Sequence, residues 1–120
     1  VAITSSPKIL VLNQADPFKS HRAVEALRIA LGLGSNSEGQ NLTILLGGRS
    51  PHLLAEDTTD IVDAEILEQH LPVFLEWETP FHIAPDAETP SAWMKDCIIK
   101  KATAEDITTF IQEADRVLIF

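Results

Sequence analysis

Cysteine occurs only once in the 120 residues, at Cys97. That excludes an internal disulfide and any zinc site built on several thiolates, and it suits a reducing compartment. No stretch approaches the roughly 18 consecutive apolar residues that a membrane helix requires. The N-terminus also lacks the basic-then-apolar pattern of a signal peptide, so no membrane association and a cytoplasmic location are the expectation. Val1 is not a natural start, so a trimmed N-terminus is the expectation. Positive charge is missing from the middle of the chain: Ser50 to Met94 carries ten acids and no lysine or arginine, within a net charge of -9. A phosphate backbone would be repelled there, so no direct nucleic-acid binding is expected. The acidic segment reads either as a solvated face or as a docking surface for a basic partner.

With 45% apolar residues in 13.2 kDa, the chain is expected to build one domain, residues 1–120, around a real core. "KILVLNQ" (Lys8 to Gln14) and "LTILLGG" (Leu42 to Gly48) read as strands buried on both faces. Between them, a mostly apolar helix is expected from Ser20, a plausible N-cap, with His21, Glu25 and Arg28 on one narrow polar stripe and Gly32 and Gly34 closing it. A further helix begins near Asp60; Pro72 is expected to interrupt it, with "VFLEW" following either as a new helical turn or as an extended piece. "PFHIAP" and "DCIIKK" read as the third and fourth strands, joined by a turn-rich segment. Thr103 and Asp106 resemble a capping box that opens a helix with Ile107, Phe110, Ile111 and Ala114 on one face, and "RVLIF" follows as a last strand. Strands alternating with helices over short connections predict a flavodoxin-like three-layer α/β/α domain with about five mainly parallel strands.

Ligands of open parallel sheets bind beyond the carboxyl ends of the strands. Here that end collects the loop from Gln14 to Lys19, the loop "GGRSPH" and the residues around Ala84 to Asp86. Lys19, His21 and Arg22 stand where a helix begins, although the helix dipole favours anions there. With Arg49 on the second loop they suggest a crevice for a small anionic ligand, drawn from Asn13, Asp16, Ser20, His21, Gly48 and Arg49. The plainer reading leaves Lys19 and Arg22 solvated and His21 paired to Glu25. "GLGSNSEG" follows a helix rather than a strand, and "GGRS" lacks the Gly-Lys-Ser/Thr of a phosphate-binding loop, so no nucleotide cofactor is implied. The four histidines have no metal-ligand spacing, and no metal site is expected. Cys97 is the one obvious nucleophile, but it sits beside Asp96 at the amino end of an apolar strand, away from the crevice. It reads as a small buried hydrophobe, with catalysis as the alternative. Phe74, Trp77 and Trp93 read either as core or as a subunit interface.

Three stretches, "KILVLNQADPFKSHRAVEALRIALGL", "LTILLGGRSPHLLAE" and "ATAEDITTFIQEADRVLIF", together resemble the DsrE/DsrF-like sulfur-relay family, in particular its TusC/DsrF-type branch. The resemblance implies a flavodoxin-like domain that assembles as a homo-oligomer, trimer or hexamer, or with related subunits. In some members of that family a cysteine at the end of the third strand carries persulfide sulfur. "FHIAPDA" is the matching stretch here, and Ala84 occupies the place of the thiol. The resemblance therefore implies a non-catalytic binding or assembly subunit, and the alternative is a sulfurtransferase that carries persulfide on Cys97.

Overall fold

The structure, a computed structural model, describes residues 7–120, so the trimmed start expected at Val1 lies outside the described residues. Five strands form one parallel sheet in the order β4-β3-β2-β1-β5. They are β1 (Ile9–Asn13), β2 (Leu42–Leu46), β3 (Pro80–Ile83), β4 (Ile98–Lys101) and β5 (Arg116–Ile119). β1 is an interior strand between β2 and the edge strand β5, with Ile9 opposite Leu42 on one side and Arg116 on the other. Its apolar run is buried on both faces, as the sequence predicts for β1 and β2.

Handedness distributes the helices. Right-handed crossovers that step from β1 to β2 to β3 place α1 (Arg22–Gly34) and α2 (Ala64–Glu76) on one face. The return from β4 to β5 steps the other way, which sends α3 (Ala104–Glu113) to the opposite face. The main core lies under α1 and α2, where Phe74 is fully buried and meets Trp77 and Phe81 edge-on at 5.8 and 5.7 Å. Trp77 and Trp93 pack against that same core, so all three aromatic residues serve packing.

α2 departs from expectation, because it runs unbroken through Pro72. Proline removes one hydrogen bond from the carbonyl four residues earlier. Pro72 is on the exposed side of the helix, so water can serve that carbonyl, while Leu67, Leu71 and Phe74 anchor the opposite side. α1 ends at Gly34, one of the two glycines expected to close it; the chain then makes a 3-10 turn at Ser35–Ser37 and reverses at Glu38 and Gly39, both at positive φ. Gly34 serves packing, since a Cβ there would fall 2.5 Å from Leu42 Cδ1.

The second face is thinner. α3 has the predicted capping box, with Thr103 Oγ1 accepting from the Asp106 N–H and Asp106 Oδ2 accepting from the Thr103 N–H. It covers Leu10, Leu45 and Ala102 through Ile107, Phe110 and Ala114. Ile111, expected on the buried stripe, is instead exposed, and so are Val117 and Ile119 on edge strand β5. "RVLIF" is thus a strand covered on one face only.

His82 is half-buried beneath α3, with its ring 4.7 Å from that of Phe110. Burial pushes its pKa below the ordinary 6.5, Lys100 adds to this, and Asp106 opposes it. The unfolded chain therefore takes up a proton before the folded one does, and stability is lost as pH falls from about 6.5 through the lower folded value. Thermal melts of the wild type should show this loss, and His82→Gln should reduce it. Equal slopes in the two proteins would rule His82 out as its source.

Candidate functional site

Three strands deliver their loops to the carboxyl edge of the sheet, and buried hydrogen bonds fix where each loop starts. Asn13 ends β1 with its side chain fully buried; Nδ2 donates to Ala23 O at 3.0 Å and Oδ1 accepts from the Ala15 N–H at 3.2 Å. The Ser50 hydroxyl lies 2.6 Å from Asn13 O and 2.8 Å from Gly47 O, tying the ends of β1 and β2 together. Asp16 Oδ1 accepts from the Phe18 N–H, and the Asp16 carbonyl accepts from Lys19 and Ser20, so "ADPFKS" forms a tight local turn. Ser20 Oγ accepts from the Arg22 N–H at 3.1 Å. Ser20 is not the N-cap expected of it: α1 begins at Arg22 with His21 in that position and no side-chain cap, and the Ser20 hydroxyl serves only a local turn one residue earlier.

Above this floor, Arg49 spans the crevice. Its Nη1 donates to Asp16 Oδ2 at 2.9 Å and its Nε to Glu88 Oε2 at 3.0 Å. The guanidinium carbon stands 4.7 Å over the centre of the Phe18 ring. His52 Nε2 lies 2.7 Å from the same Glu88 oxygen, and the His52 ring meets Phe18 edge-on at 5.1 Å. Arg49, then His52, hold the Glu88 carboxyl below its usual range against a smaller opposing effect of burial. Burial alone would raise Asp16, but the Phe18 N–H and Arg49 outweigh it and the carboxyl titrates lower than usual. Glu88, followed by Asp16, raises Arg49 in turn. Exposed ion pairs of this kind contribute little to stability. Their effect is to aim Arg49 and to draw three loops together.

Among the cations expected at the crevice, Arg49 is the one whose side chain engages the other loops. Lys19, His21 and Arg22 are exposed, with Lys19 near enough to Asp16 to favour its ionised form. Glu25 pairs with Arg28 rather than with His21. Gly48 has φ +59 and a Cβ there would lie 3.1 Å from Gln14 O, so the approach of the two loops depends on glycine. Phe18 and His52 lie on loops expected at this end but were not singled out as ligand-binding residues, and Glu88 was not expected here. They are far apart in sequence, and the only advance signal was their position in loops that follow strands.

Ala84, at the end of β3, lies on the crevice side, 3.8 Å from where a Gly47 side chain would begin. Cys97 immediately precedes β4 at the opposite end of the sheet. Its thiol is half-buried against the main core, and burial, then Asp96, pushes its pKa up from the ordinary 9.0. Among the described residues, no group of three or more His, Cys, Asp or Glu side chains is placed to hold a metal ion. No helix among them is long and apolar enough to cross a membrane.

No family model matches the chain, and no curated protein sequence matches it. Among solved structures, the crystal structure of the ychN protein from E. coli aligns over 95% of this chain and 99% of that one, with a TM-score of 0.70 and 16% sequence identity. At this identity the likeness establishes the fold of the chain alone.

Proposed function

We propose that the protein is a DsrE/DsrF-like binding or assembly subunit related to intracellular sulfur relay, without a sulfur carrier of its own. The observation that carries this reading is the separation of its chemistry. The crevice end of the sheet has Ala84 at the end of β3, while Cys97 lies at the far end with its thiol held protonated. A persulfide carrier works through an accessible thiolate. Cys97 is half-buried beside an acid. The small-ligand role belongs to the loops bearing Asp16, Gly48 and Arg49, beside Asn13, Ser20 and His21. Assembly as a homo-oligomer, trimer or hexamer, or with related subunits, is part of the same reading. The fold and the uncovered Ile111, Val117 and Ile119 support it.

Incubation with a cysteine desulfurase and sulfur-labelled cysteine tests the proposal. Wild type and Cys97→Ala are expected to retain the same background label. Label held on the wild type and lost from Cys97→Ala would overturn the proposal in favour of a sulfurtransferase acting through Cys97. Native thiol modification gives a second readout: Cys97 is expected to react slowly until the protein unfolds.

A further inference from the structure

We infer that Glu88 is a built-in competitor for a carboxylate seat formed by Arg49 and His52, a seat that a small free monocarboxylate fills when Glu88 swings out. This rests on the ligand-binding reading of the crevice and adds its ligand class and its regulation. Two donors three residues apart on one loop, Arg49 Nε and His52 Nε2, converge on a single oxygen, Glu88 Oε2, at 3.0 and 2.7 Å. An internal carboxylate thus already occupies the position that a ligand carboxylate would take.

Three features separate Glu88 from the seat itself. Its side chain is 56% exposed, so it can leave without opening the core. Its main-chain N–H donates to Gly48 O at 2.7 Å, so the loop stays attached whichever way the carboxylate points. Arg49 is held independently by Asp16 on Nη1 and by the face of Phe18, so its Nε stays aimed after Glu88 departs. Preorganisation of that kind reduces the cost of binding.

The ligand class follows from the local charge. Asp16 already neutralises Arg49 from one side. The vacated seat therefore offers directed donors with little net positive charge, which fits a monoanionic carboxylate and disfavours a dianion. Occupancy by Glu88 reduces the apparent affinity by the fraction of time the seat is free. With Glu88 seated about nine-tenths of the time, its removal raises ligand affinity roughly tenfold.

The test is an NMR titration of the full chain with sodium acetate, matched in ionic strength by sodium chloride, following Gly48 and the His52 ring. Glu88→Ala is expected to show saturable shifts at about a tenth of the acetate concentration that the wild type needs. Glu88→Gln keeps the side-chain shape and is expected to give a smaller gain. Arg49→Gln in the Glu88→Ala background should abolish the saturable shift, and sodium sulfate should bind Glu88→Ala more weakly than acetate. The inference is overturned if neither Glu88 variant gains affinity, if the Arg49 change leaves binding intact, or if sulfate binds as tightly as acetate. Sulfur label on Cys97 would overturn the proposed function and leave this result unaffected, so the two failures are distinguishable.

Discussion

Phe74→Ala is expected to destabilise the protein by about 3–5 kcal/mol, the range for removing a buried phenylalanine ring. The ring is fully buried and touches both Trp77 and Phe81, so α2, the turn that follows it and β3 all lose a shared packing partner. Leu67 and Leu71 pack in the same core, and relaxation around a new cavity is only partial. A small domain is stable by about 5–15 kcal/mol in total, so the variant retains little margin. Urea denaturation followed by circular dichroism measures the change. Phe74→Leu, which keeps much of the volume, should cost substantially less. A loss below about 1 kcal/mol in Phe74→Ala would mean that α2 is not seated as described.

The second large effect is expected at Asn13. Asn13→Ala leaves the buried Ala23 carbonyl and Ala15 N–H without their side-chain partners, at a cost of about 1–3 kcal/mol. Asn13→Asp should be worse. A carboxylate still accepts from Ala15, but it faces the Ala23 carbonyl with no proton to donate, inside a site with no solvent exposure. Denaturant midpoints rank the three proteins, and amide exchange at Ala15 reports the local release. Exchange faster than the global stability loss predicts would show that Asn13 restrains the crevice loop; a purely global change would count against that role.

These two residues also mark what sequence reading can reach. β1 and β2 were legible because strands covered on both faces are nearly uninterrupted apolar runs. α3 was legible because its N-terminus carries a capping box. The path of α2 through Pro72 was not, because a proline on the solvent side of a helix and one that ends a helix look alike until the core face is known. The uneven cover of the sheet was equally hidden. Ile111, Val117 and Ile119 obey the periodicity of buried residues, and only the crossover directions reveal that one helix serves the whole of that face.

The rule that ligands of parallel sheets lie at the carboxyl ends of the strands placed Asp16, Gly48, Arg49 and the loop ending at His52 at one end of the sheet. It did not pair His52 with Glu88, because an interaction between loops 36 residues apart leaves no periodic trace. The cations at the start of α1 prove to be mostly surface charge. Arg49 alone reaches across, and it does so as a bridge between acids.

The place of β1 between β2 and β5 has a consequence for how the chain finds its fold. One edge of that strand is completed by β2, a neighbour in sequence, but the other awaits β5; at the foot of that pairing the Lys8 N–H reaches Asp115 across 107 residues. Closing so long a loop costs entropy before the contact returns anything. The pairing of β1 with β2 is therefore cheaper to close than its pairing with β5, and the sheet edge at β5 is sealed only when the two ends of the chain meet.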